Sequence, residues 1–140
     1  MLHSFEANAD PVRIHELITQ ASSALTDMQI PDDGTLTLVI HEAVINAYEA
    51  CLDQGITDKP IRVTIEMAGS DLLITVSDPA GNLDPGTLDE ASQRLDEANL
   101  NLHESGRGLF FIQSLMDDVY VQPIEDASIF KQKLIMRKVI

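Results

Sequence analysis

The sequence predicts an α+β domain, a two-layer sandwich in which a mixed, mostly antiparallel sheet carries helices on one face. Three observations lead there. Apolar residues recur at three- and four-residue steps through two early stretches, Ile14 to Met28 and Leu36 to Cys51. A strictly alternating run, Ile61 to Met67, is followed across a short turn by a second strand-like run, Leu72 to Ser77. The chain closes on another pair of strand-like segments, Val119 to Val121 and Ile129 to Met136. At 140 residues it has the usual size of one domain, spanning 1–140. Its 44% hydrophobic share can build one core, and with aromatics at 4% and no Trp that core must be aliphatic.

Taken in order, roughly residues 2–6 form a short edge strand. Asp10-Pro11 then opens a helix, with Asp as the cap and Pro at the first helical position. Ile14, Ile18, Ala21, Leu25 and Met28 give it one apolar stripe, and Pro31 ends it. A second helix follows Asp32-Asp33 and stops near Gly55. Ala68-Gly69-Ser70-Asp71 reads as the turn of a hairpin between the two strands around it. Residues 78–86 contain two Pro and two Gly and form a loop. A polar, weakly helical stretch over roughly 87–98 and a second loop running through Gly106 come next. Leu109, Ile112, Leu115 and Met116 mark a short helix, and the last two strands meet across Pro123 to Asp126.

Charge and composition exclude several function classes. The formal net charge is −14, and a nucleic-acid surface needs clustered Lys and Arg. Four of the nine basic residues, Lys131, Lys133, Arg137 and Lys138, fall in the final strand, where they read as the solvated face of an edge strand. A basic protein surface is the better-matched partner. No run of about 18 apolar residues exists to span a membrane, and the start Met1-Leu2-His3-Ser4-Phe5-Glu6 lacks the pattern of a secretory signal. The single cysteine, Cys51, fits a reducing, cytoplasmic setting.

Three segments carry chemistry. On the second helix Glu42, Asn46 and Glu49 recur at four- and three-residue steps and share one face. Any amphipathic helix has a polar face, but Leu38 and Ile45 border this one closely, and no Lys or Arg occurs between Arg13 and Lys59. A carboxylate and an amide oxygen one turn apart suit Mg²⁺, which takes oxygen ligands and keeps several waters. Asp78, in Ser77-Asp78-Pro79-Ala80-Gly81-Asn82, stands where a strand ends; its carboxylate can accept a hydrogen bond from an exocyclic amino group such as adenine's. Read as turn chemistry alone, the same residues only reverse the chain. In Ser105-Gly106-Arg107-Gly108-Leu109 two glycines flank an arginine directly before an apolar helical run. Glycines let backbone approach a ligand, and a helix start offers free N–H groups to phosphate. The four histidines, His3, His15, His41 and His103, are scattered; His41 projects about 100° around the helix from Glu42 and reads as an ordinary histidine.

Together these segments resemble the histidine-kinase-like ATPases (the Bergerat fold), and within them the anti-sigma factor serine kinases of bacterial partner-switching systems. Glu42-Ala43-Val44-Ile45-Asn46-Ala47 looks like the first signature helix. Asp78 to Pro85 looks like the first glycine box, and Gly106 to Asp117 is similar to the second. The resemblance covers almost the whole chain. It implies that Asn46 holds Mg²⁺, that Glu42 is the general base, and that Asp78 reads adenine. By the same resemblance Gly81 and Asn82 belong to the nucleotide-binding loop, and Gly106, Arg107, Gly108 and Leu109 close on the phosphates of ATP. The implied activity is γ-phosphoryl transfer to a serine on an antagonist protein, coupled to sequestration of a sigma factor, in a branch that tends to form dimers. The first box departs from the family pattern at Ala80 and Asn82, where glycine is usual. The rival expectation is therefore a binding module of the same fold with reduced nucleotide binding and little or no catalysis.

Overall fold

The computed structural model describes residues 2–81, 104–124 and 128–140, with residues 104–107 described by their backbone alone. The elements run β1 (Leu2–Asn8), α1 (Pro11–Asp27), α2 (Thr35–Asp53), β2 (Pro60–Ala68), β3 (Asp71–Asp78), α3 (Glu104–Leu115), β4 (Asp118–Pro123) and β5 (Gln132–Val139). The strands form one five-stranded sheet in the order β1-β2-β3-β5-β4, and every pairing in it is antiparallel. The expected polar stretch over 87–98 and the loop over 99–103 lie outside the described residues.

Alternation decides which face of the sheet is covered. Ile61, Val63 and Ile65 of β2, Leu72, Ile74 and Val76 of β3, and Leu134 and Met136 of β5 are all buried. The helices pack on that side, and their own stripes complete the core: Ile14, Leu17, Ala21 and Leu25 from α1, and Leu36, Ile40, Ala43, Ala47 and Cys51 from α2. Among the described residues no helix is long and apolar enough to cross a membrane.

Local chemistry accounts for the helix starts. Asp10 has extended backbone and accepts the N–H groups of Val12 and Arg13, with Pro11 in the first turn. At the second helix the residue in the cap position is Gly34, which has no side chain to offer. Asp32 supplies the acceptors instead, to the N–H groups of Gly34, Leu36 and Thr37 and to the Thr37 hydroxyl. Burial opposes ionisation of Asp32, but the Thr37 hydroxyl and the backbone donors outweigh it and hold the carboxyl below its ordinary value of 3.8. A depressed folded value makes the cap fully stabilising above pH 3.8, with the contribution lost as pH falls through the lower folded value. Asp32→Ala is therefore expected to cost about 1 kcal/mol in urea unfolding at neutral pH. That difference should shrink toward zero in strong acid.

Three expectations need correction. The last strand is not an edge: β5 lies between β3 and β4. Its Arg137 bonds Asp118 of β4 and Asp71 of β3 instead of standing free in solvent. The strand also begins at Gln132, because Phe130 turns aside to stack on the Arg62 guanidinium, 4.6 Å away. Lastly, α3 starts at Glu104, so the Gly-Arg-Gly segment lies within the helix rather than in a loop before it. Packing of Leu109 and Ile112 against the core outweighs the weak helix preference of two glycines, roughly 1 kcal/mol each.

Candidate nucleotide site

The polar edge of α2 opens on a cavity of ≈ 220 Å³ lined by His41, Glu42, Ile45, Asn46, Glu49, Gly108 and Phe111. The helix therefore presents its acid, amide and second acid to one space, as their spacing requires. Across it runs α3, where Gly108 faces the acid–amide pair closely. A Cβ there would lie 2.9 Å from Glu42 Oε2 and 3.5 and 3.6 Å from the Asn46 side-chain nitrogen and oxygen. Absence of a side chain is what lets the two helices touch at the acid–amide pair.

Two features mark this space as a ligand site. The Asn46 side-chain nitrogen is buried and has no hydrogen-bond partner, an arrangement that costs about 1–3 kcal/mol and needs a reason. Because the oxygen and nitrogen of an amide exchange by a half-turn, the same side chain can turn an oxygen toward a cation. Glu42 and Glu49 bring negative charge to the cavity, and among the described residues no Lys or Arg lines it. Among the described residues no three His, Cys, Asp or Glu side chains form a metal cage. A cation here would be shared with water and ligand oxygens, the manner in which Mg²⁺ binds. These residues fit Mg²⁺: Asn46 would hold it, and it would neutralise charge on phosphate oxygens.

His41 is placed differently from the sequence expectation. Its Nδ1 lies 3.8 Å from Glu42 Oε1, and it lines the cavity. Adjacent helix residues diverge, but the open groove lets this half-exposed ring lean toward the carboxylate. Phe111, one turn beyond Gly108 on α3, also lines the cavity; in sequence it carries no polar signal and sits in the apolar run that follows the glycines.

Asp78 closes the end of β3 and is 2% exposed. Its Oδ1 accepts the N–H groups of Ala80 and Gly81 at 2.9 and 3.0 Å, and its Oδ2 accepts the Gln132 amide at 2.8 Å. A carboxylate has about four acceptor positions, so one remains for an amino group. Gly81 has φ +67°, and a Cβ on it would meet the Lys131 Cβ at 2.6 Å. Glycine is thus required for both conformation and space one residue later than the family position. Ala80 packs against the core. Burial pushes the Cys51 thiol up to about 11, with the Asp78 charge contributing, which places Asp78 beside the last turn of α2. Glu42 and Cys51 are roughly 13 Å apart along that helix. The small cavity and Asp78 thus mark two separate stations along α2. Ligand pockets generally need roughly 300–1,000 Å³, so the cavity suits one end of an extended ligand.

The remaining candidates divide. Leu109 is 4% exposed and its side chain belongs to the core, leaving only its backbone to face a ligand. Gly106 and Arg107 are placed by their backbone within α3. Asn82 and His103 lie outside the described residues. Lys131 and Gln132, which contact the Asp78 loop, carried no local signal, because strand register across the sheet brings them there.

No curated protein matches the chain. Residues 7–138 match the family model described as Histidine kinase-like ATPase domain. With that match spanning nearly the whole sequence, and with an acid–amide pair set against a glycine at the expected positions, the chain belongs to the histidine kinase-like ATPase family and is an ATP-binding domain.

Proposed function

We propose that this domain binds Mg-ATP and transfers the γ-phosphoryl group to a serine of an antagonist protein, within a partner switch in which it also sequesters a sigma factor. The observation that carries the reading is the Glu42 carboxylate and the orphaned Asn46 amide held together under Gly108. Phosphoryl transfer asks a protein mainly to position groups and neutralise charge. Asn46 would fix the cation, the α3 start would meet phosphate oxygens, and Glu42 would take the proton from the attacking serine hydroxyl. The −14 charge favours a partner with a basic surface. The setting would be cytoplasmic, and the active unit a homodimer.

The direct test is thermal unfolding with Mg-ATP, followed by phosphorylation of a co-encoded antagonist domain. At one hundred times Kd the ligand stabilises by about 2.7 kcal/mol, a rise of roughly 5–12 °C in Tm. No rise at saturating Mg-ATP would sink the reading. Gly108→Ala gives a sharper check. The added methyl improves helix propensity by about 1 kcal/mol but displaces the Glu42 carboxylate, whose flexible end can yield. Stability should hardly change while phosphoryl transfer falls about 100-fold, the usual consequence of a 1 Å misplacement.

One observation favours a second reading, a binding module without catalysis. The backbone at Gly108 stands so close that a Cβ there would lie 2.9 Å from Glu42 Oε2, and Ala80 stands where the family has glycine. Calorimetry with Mg-ADP separates the two: clear saturable binding counts against the module, and its absence supports it.

A further inference from the structure

The opposite face of the sheet carries a second cleft, away from the helices and from Glu42. Strand register sets Arg62 of β2, Ser77 of β3 and Lys133 of β5 side by side in one row, flanked by Glu6 and Gln122. Neighbouring strands lie about 4.8 Å apart, so the backbones of the two basic residues are roughly 10 Å apart with the serine midway. Ile124, Ser128 and Phe130, from the two described ends of the β4–β5 connection, line the cleft with this row. Ile124 N–H bonds the Lys131 carbonyl, and Phe130 is 5% exposed with its ring against Arg62. The result is a cleft of ≈ 390 Å³ with Ser77 at its floor, Arg62 and Lys133 on its sides, and Phe130 and Ser128 above.

Each group is prepared for an oxyanion. Ser77 is 4% exposed and lines the cleft. A serine hydroxyl facing the cleft can donate one hydrogen bond to a ligand oxygen. Arg62 is held in place by Glu6, which takes its Nε–H at 2.7 Å, and by the Phe130 ring, leaving other guanidinium N–H groups to donate. Lys133 has no acidic partner among the described residues, in a chain with a net charge of −14. Two cations bracketing a serine donor match a phosphate group better than any apolar or cationic ligand.

We propose that this cleft binds a phosphate-class oxyanion between Arg62 and Lys133, with the Ser77 hydroxyl donating to it. Its position couples it to the nucleotide domain's Asp78. Ser77 precedes that residue, Lys131 N–H bonds the Asp78 carbonyl at 2.8 Å, and Gln132 bonds its carboxylate. The cleft is larger than a bare phosphate, so the ligand is either the free ion or the phosphate end of a small phosphomonoester.

The test is an amide NMR titration with inorganic phosphate, repeated with free O-phosphoserine. Saturable shifts are expected at Ser77, Ser128 and Phe130, with a smaller response at Asp78. Lys133→Gln, at an exposed position, should weaken binding about 10-fold or more, and Ser77→Ala should weaken it with Tm nearly unchanged. Tighter binding of O-phosphoserine assigns the phosphomonoester; tighter binding of phosphate assigns the free ion. Shifts confined to residues 106–108, shifts that never saturate, or shifts indifferent to Lys133→Gln overturn the proposal. None of these readouts depends on kinase activity, so the cleft stands or falls apart from the function proposed above.

Discussion

Glu42→Gln is expected to slow phosphoryl transfer by about 10²–10⁴-fold, the range a positioned general base supplies, while Mg-ATP affinity stays nearly unchanged. Glutamine keeps the shape of the side chain and its place beneath Gly108, so the cavity is preserved. What it loses is the capacity to take a proton. Glu42→Ala should behave alike in catalysis and fold normally, since alanine suits a helix interior at least as well. Binding would be followed by calorimetry and turnover by transfer of labelled phosphate to the antagonist. A variant that transfers at the native rate removes Glu42 from the role of base. A variant that no longer binds nucleotide shows instead that the carboxylate helps hold the ligand.

The second large effect belongs to Asp78, where removing and retaining the acceptors give different outcomes. Asp78→Ala strands the N–H groups of Ala80 and Gly81 and the Gln132 amide in a buried setting. Each unsatisfied donor costs about 1–3 kcal/mol, and a total of roughly 3–5 kcal/mol is expected once relaxation is allowed. Asp78→Asn keeps an oxygen for the two backbone donors, and Gln132 can turn its own oxygen toward the new amide. Its stability should stay within about 1 kcal/mol of the native protein. Its affinity for ATP should nevertheless fall about 10-fold or more, because a charged acceptor for the amino group has been lost. Urea unfolding and nucleotide calorimetry on both variants separate the two roles. Native ATP affinity in Asp78→Asn would leave Asp78 as a structural residue alone.

Much of the molecule was legible locally. The polar edge of α2 was readable because Glu42, Asn46 and Glu49 are near neighbours on one helix, and 3.6-residue geometry brings them together without help from the rest of the fold. Asp10-Pro11 and Asp32-Asp33 announced helix starts by side chains that reach only a few residues ahead. Where the reading failed, a longer contact was in charge. Two glycines and an arginine suggested a loop, yet burial of Leu109 and Ile112 carries α3 back to Glu104. Basic residues in the last strand suggested an exposed edge, yet pairing of β5 with both β3 and β4 places Arg137 between two aspartates.

Among the described residues, sequence alone determined the identity and order of the helices and strands, the acid–amide edge, and the membership of an ATP-binding family. All of these rest on periodicity and motif, which near neighbours control. Tertiary structure decided that Gly108 meets Glu42 and Asn46, that Gln132 ties down Asp78, and that Arg62, Ser77 and Lys133 share one row. Those contacts join strands and helices far apart in the chain, and register and packing are set by burial of the whole core.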